Sequence, residues 1–120
     1  MNSTRSAYRI WRQVDGVPSF AEVEVSLGED GVFEPLSTEI PAGWVEMARS
    51  GIASALGMMG ESLPHPELRR LVFSFVDTTD DSVFAAAFLA TARLLGREGE
   101  FSLRRISGKW SISHRDDKAL

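Results

Sequence analysis

The chain of 120 residues contains no cysteine. That excludes disulfides, thiol nucleophiles, iron–sulfur clusters and every thiolate metal site, and it leaves the redox compartment open. Histidine is almost as scarce. His65 and His114 are far apart and in none of the close spacings with which paired imidazoles hold zinc. Gly-rich phosphate loops are missing, no serine sits in a GxSxG elbow, and neither histidine has an evident serine or acid partner, so nucleophilic catalysis has no support. Long apolar runs are absent too. The longest is Val83–Ala90, far short of the roughly 20 residues that span a bilayer. The first turns of sequence carry Arg5, Arg9 and Arg12 and no run of the roughly seven apolar residues found in secretory signals. These absences predict a soluble cytoplasmic protein, not an enzyme, with no metal, no cofactor and no membrane contact. A chain that opens at Met1 without a tag is expected to be a whole gene product.

What is present is ordinary for a folded protein: 43% hydrophobic and 25% charged residues at a length that suits one domain, residues 1–120. The net charge is −4, but it is unevenly placed. Residues 1–14 hold three arginines and no acid. Residues 15–100 hold fifteen acids against five arginines. Residues 101–120 hold five basic residues against two acids. The middle should repel phosphate backbones and the two ends should attract them. Terminal strands that carry solvating arginines explain the same pattern.

Periodicity supplies the elements. Ala7–Val14 alternates, with Tyr8, Ile10 and Val14 on one side and Arg9, Trp11 and Gln13 on the other, which predicts a strand. Asp15–Ser19 reads as a turn. Ala21, Val23, Val25 and Leu27 then alternate against Glu22, Glu24 and Ser26, a half-buried antiparallel strand. A turn at Gly28–Gly31 leads to a short strand at Val32–Ser37. Pro41 opens a helix through Met59 whose stripe is Val45, Ala48, Ile52, Ala55, Leu56 and Met59, with Gly60 as its C-cap. Gly51 and Gly57 inside it each cost about 1 kcal/mol relative to alanine, and such a glycine often permits close packing. Leu68–Val76 is apolar on both sides and reads as a central strand. A second helix runs from the Asp77–Ser82 cluster to about Arg97, and Glu100–Ile106 with Lys109–His114 reads as a hairpin around Ser107-Gly108. The order β-β-β-α-β-α-β(-β) predicts an α+β two-layer sandwich, a mostly four-stranded sheet with two helices on one face.

Three constellations could carry function. Asp77, Asp80 and Asp81 could hold a cation, but helix capping and favourable dipole placement explain them better, with Thr78 and Asp81 as a capping box. Arg69-Arg70 and Arg104-Arg105 each put one arginine on each side of a strand, as phosphate contacts or as balance for the acidic middle. Among the tryptophans, Trp110 shares a side with Ile112 and reads as core, and Trp44 packs down from the start of its helix. Trp11 stands between Arg9 and Arg12 as a stacking platform. The candidate contact residues for RNA or a partner are therefore Arg9, Trp11, Arg12, Arg104, Arg105 and Lys109.

The stretch Ile40-Pro41-Ala42-Gly43-Trp44, continuing to Gly51-Ile52, Ala55-Leu56 and Pro66 with the apolar strand after it, resembles the fourth domain of bacterial elongation factor G. Glu22-Val23-Glu24-Val25 upstream is similar to that domain's strand before the helix. Asp77 with the hydroxyl and acid residues after it, followed by Phe84-Ala85 and Ala87, resembles its Asp-Ser-Ser and alanine pattern. The resemblance covers roughly residues 20–98. It implies the ribosomal protein S5 domain 2-like fold with a left-handed β-α-β crossover, an exception to the usual right-handed rule. It also implies a translation-associated module. The family's tip loops are not matched: Asp15–Ser19 lacks the Gly-Arg-Gly-Gln-aromatic-Gly sequence, and Asp77–Asp81 replaces the loop that holds its tyrosine–histidine pair. No family functional residue carries over. Two functions fit: a stand-alone non-catalytic module touching ribosome or RNA through its basic ends, or a protein-interaction or regulatory module without RNA binding.

Overall fold

A computed structural model describes residues 5–14, 16–26, 39–61 and 66–115. Strand β1 (Arg5–Val14) turns directly into β2 (Val17–Ser26), with Val14 paired to Val17. The turn is thus two residues long, and Pro18 and Ser19, expected within it, belong to β2. Gly16 has φ of 79°, the positive value that a two-residue hairpin turn requires. Alternation then sorts the side chains. Ile10, Ala21, Val23 and Val25 are fully buried on one face of the ribbon.

Helix α1 (Ala42–Met59) follows, with Pro41 as the N-cap residue just before it rather than inside its first turn. Pro41 has no N–H to leave unsatisfied, and its carbonyl accepts from the amides of Trp44 and Val45. Gly60 closes the helix in the left-handed region at φ 64°, its amide and that of Glu61 bonding Gly57 and Leu56. Strand β3 (Glu67–Val72) pairs antiparallel with β2, and helix α2 (Asp80–Leu94) crosses the sheet behind it. A short 3-10 turn, Glu98–Glu100, leads to β4 (Phe101–Ile106) and β5 (Lys109–His114). Ser107 and Gly108 both have positive φ, 52° and 80°, in their connecting turn.

The protein is an α+β sandwich, with a three-stranded antiparallel sheet in the order β1-β2-β3 and a two-stranded sheet β4-β5. The strands were expected in one mostly four-stranded sheet. Instead β3 takes the far edge of β2, and the terminal hairpin pairs only with itself. The expected strand at Val32–Ser37, the turn before it, and His65 lie outside the described residues. Both helices feed one core: Ala48 and Ile52 of α1 meet Val83, Ala87 and Ala90 of α2 over Ile10, Val23 and Val25. A second cluster joins Ala55, Met59, Phe88 and Phe101. Helix α2 is buried from Ser82 to Ala92 except for the half-buried Phe84. Small residues there let it lie between α1 and the sheets.

The strand expected at Leu68–Val76 is shorter and is an edge. Between Glu24 and Val25 the register against β3 shifts: Glu24 pairs with Arg70 and Val25 with Leu68, so Arg69 is the extra residue of a bulge. The bulge puts Leu68 and Leu71, three apart, on the same buried face. On the opposite side Val72 is exposed, as are Phe75 and Val76 beyond the end of the strand. The cap of α2 also differs from expectation by one residue. Thr79 is the N-cap and Ser82 its reciprocal partner. Thr78 instead donates to the carbonyl of Phe20 at 2.6 Å and accepts from the amide of Ser74 at 2.8 Å, tying the loop to β2.

Candidate binding surface

Successive residues of a strand point to opposite faces, and this divides the candidates. On the open face of the sheet, Trp11 is 72% exposed and meets the ring of Phe20 edge-on at 6.1 Å. The Arg9 guanidinium lies 5.8 Å from the Trp11 ring and donates to Glu22 Oε1 at 2.7 Å. Arg70, from β3, donates to Glu22 Oε2 at 2.7 Å. Glu22 is buried beneath these two guanidiniums. A carboxylate taken from water between two cations is held by charge-assisted hydrogen bonds, so Arg9 and Arg70 are turned inward electrostatically.

Arg12 lies on the other face, with Ile10 and Tyr8. Its guanidinium stands 5.7 Å from the Trp110 ring, and that of Arg105 stands 5.6 Å from the same ring. Arg105 also donates to Ser19 Oγ at 2.6 Å, and Ser19 pairs opposite Arg12. Trp110 is 7% exposed, in line with the core position expected from the side it shares with Ile112, and among the described residues its indole N–H has no hydrogen-bond partner. Its backbone amide donates to Asp81 Oδ2 at 2.6 Å. The aspartate thus does more than favour the helix dipole: it fastens the start of α2 to β5.

Arg104 points from the outer side of the hairpin, opposite Ser111, and Lys109 pairs with Ile106 at the hairpin turn. Both are exposed. Arg69 and Arg70 do lie on opposite sides, Arg69 buried against Ser26 Oγ at 2.5 Å. Among the described residues, no carboxylate pairs with Arg12, Arg104, Arg105 or Lys109. Arg12 and Arg105, one from each basic end of the sequence, therefore meet at Trp110, while Arg104 and Lys109 lie on the other face of the hairpin. Two guanidiniums share one aromatic ring there, an attraction of about 0.5–1 kcal/mol each that their mutual repulsion opposes. An anion set between them would relieve that repulsion.

Beside this cluster is a cleft of about 570 Å³ between β1 and β4. Tyr8 and Arg12 form one wall, residues 101–104 the other, and Leu89 of α2 lies at its base, with Arg115 at the rim. Glu98 is the acid beside it. Arg93 holds that carboxylate at 2.7 and 2.9 Å and keeps its pKa below the ordinary 4.5. Arg93 also donates to the carbonyl of Ala7 at 2.7 Å and stacks 4.9 Å from the Tyr8 ring. Neither the cleft nor the part played on this surface by Arg115, Tyr8 and Ser19 is marked by a local sequence signal. The side shared by Tyr8, Ile10 and Arg12 was readable from alternation, but its neighbour across the cleft is 90 or more residues away in the chain. Among the described residues no group of three or more acidic, histidine or cysteine side chains is placed to hold a metal ion.

No family model matches the chain. No curated protein matches it either. Among solved structures, a crystallised protein of Thermus thermophilus is similar, with a TM-score of 0.55 at 15% identity over 92% of this chain. This chain spans 23% of the length of that one. At such identity the likeness shows the fold alone.

Proposed function

We propose that the chain is a non-catalytic binding module, similar to the fourth domain of elongation factor G with its ribosomal protein S5 domain 2-like fold, that works in the cytoplasm and touches ribosomal or other RNA. One observation carries this reading: Arg12 and Arg105, from the two ends of the sequence, meet at Trp110 with no carboxylate among the described residues to neutralise them, and Arg104 and Lys109 stand exposed and equally uncancelled on the other face of the same hairpin. Phosphate contacts need unpaired cations of this kind. Arg9 and Trp11 are a separate contact on the open face, where stacking rather than charge is on offer.

Polarisation of a labelled single-stranded RNA, titrated across salt, tests it. The combined variant Arg12→Gln, Arg104→Gln, Arg105→Gln, Lys109→Gln should weaken binding and lower the salt slope by roughly three, at about 0.7 for each phosphate contact to a single strand. Arg9→Gln should leave the slope nearly unchanged. A wild-type protein that binds no RNA at low salt refutes the reading, and binding that survives the fourfold variant refutes the surface. A second reading, a protein-interaction module without RNA binding, is favoured by the net charge of residues 15–100, fifteen acids against five arginines.

A further inference from the structure

A sheet edge exposes a row of backbone donors and acceptors unless something covers it. Two such edges face each other here. β1 is the outer strand of its sheet: among the described residues it pairs as a strand only with β2, and Arg93 takes the carbonyl of Ala7. β4 bonds only β5. Four consecutive residues of β4, 101–104, line the cleft, while none of Lys109–His114 does, so the free edge of β4 is the one that looks across at β1. Among the described residues no backbone hydrogen bond links the two strands.

Their directions fit a missing member. Tyr8 packs into the cluster of Phe101, at the start of β4, while Arg105, near its end, reaches Ser19, the partner of Arg12. β1 and β4 therefore run in the same sense. A single strand laid between them would be antiparallel to both and would continue the alternation of β3, β2, β1 on one side and β4, β5 on the other into one antiparallel sheet. The charge of the walls selects the occupant. Arg12, Arg104 and Arg115 border the cleft, and Glu98 is already held by Arg93.

We propose that the cleft between β1 and β4 is a slot for one extended acidic segment of a partner protein, which adds as a strand and joins the two sheets. Main-chain bonds to both edges supply affinity, and the arginines select carboxylates on the inserted strand. Arg12 and Arg104 are also among the cations assigned to RNA, so the acidic segment and RNA would exclude one another.

The probe is an acetylated peptide of about eight residues, a common strand length, alternating valine and glutamate. The readout is amide hydrogen exchange with a parallel affinity titration. Addition of the peptide should slow exchange in both β1 and β4 by at least about tenfold. Methylation of alternate backbone nitrogens of the peptide should abolish the effect, because it removes the main-chain bonds and leaves the charge. Arg12→Gln with Arg104→Gln should weaken affinity about tenfold or more, and Arg49→Gln, on the exposed side of α1, should not change it. The proposal is overturned by no binding at millimolar peptide, by equal binding of the methylated peptide, or by β1 and β4 amides already protected in the free protein. It is also overturned if single-stranded RNA, and not the peptide, protects the β1 and β4 amides. RNA that fails to bind leaves this slot intact and counts only against the RNA reading.

Discussion

Gly51 and Gly57 lie on the same helix, nearly two turns apart, and their replacement by alanine should have opposite effects. A Cβ at Gly51 would stand 2.5 Å from the carbonyl oxygen of Phe84, 3.0 Å from Ala87 Cβ and 3.2 Å from the amide nitrogen of Phe88. Two of these neighbours are backbone of α2 and cannot rotate aside. The helices would have to separate, loosening Ala48, Ile52 and Ala55 from their partners on α2. Overpacking of this kind costs about 1–3 kcal/mol, and rigid backbone neighbours put it near the top. The gain in helix propensity is about 1 kcal/mol. Gly51→Ala should therefore destabilise by about 2 kcal/mol. Gly57 has nothing within 4 Å of the same added atom and is exposed, so Gly57→Ala keeps the gain of about 0.5–1 kcal/mol without the clash. For a domain of this size the melting midpoints should move roughly 6–10 °C down and 2–4 °C up. Thermal and urea unfolding followed by circular dichroism would measure both. Midpoints shifting in the same direction, or a Gly51→Ala protein as stable as the parent, would refute close helix packing as the reason for glycine at position 51.

Other substitutions test the remaining joints. Ile52→Asp, at a position 5% exposed in the core, should cost well over ~3 kcal/mol by burying an unpaired charge; an unchanged melting midpoint in a soluble variant would refute the packing of α1. Thr79→Ala should cost about 1 kcal/mol as a lost N-cap, and Thr78→Ala about 1 kcal/mol, because it removes two half-buried hydrogen bonds that tie the loop to β2; equal stability of Thr78→Ala and the parent would show that this tie contributes nothing. Glu98, lowered below 4.5 by the hydrogen bonds from Arg93 and then by its charge, contributes stability above pH 4.5 that is lost as pH falls through the lowered value. The carboxylate is 37% exposed, so the contribution is at most about 1 kcal/mol, and Glu98→Gln should flatten the acid limb of a stability titration without moving stability near neutrality by more than that; an unchanged acid limb would refute it.

The elements were legible where local periodicity decides them. The alternation around Val23 and the stripe through Ala48, Ile52, Ala55 and Met59 each survive as buried faces, and Gly60 caps α1 because it alone there adopts φ of 64° without strain. Sheet membership was not legible. An alternating hairpin such as Lys109–His114 with its partner satisfies half of its backbone groups locally, and nothing in its own sequence says whether the other half meets a third strand. The misreading of Leu68–Val76 has a different cause. A run that is apolar on both sides predicts cover on both faces, but the bulge at Arg69 shifts the phase, and Phe73 leaves the strand to pack on Trp44 at 5.2 Å between ring centres.

The candidate surface shows the same division between local and distant information. Arg9, Trp11 and Arg12 are close in sequence and read as one cluster, yet an odd number of steps along the chain separates Arg9 from Arg12, so a strand places them on opposite faces. What each then meets is set at a distance. Arg9 finds Glu22 across the hairpin and shares it with Arg70 from β3, a pairing that cancels its charge. Arg12 finds Trp110, nearly the full length of the chain away, and beside it Arg105, whose presence leaves the charge uncancelled. Equal residues in equal local sequence thus acquire opposite electrostatic roles. The parity of a strand can be counted from the sequence, whereas the identity of the group on the far side of the fold cannot. A binding surface assembled from both ends of a chain therefore becomes visible only when the faces are closed against each other, here by α2, which packs against β1 on one side and holds the amide of Trp110 through Asp81 on the other.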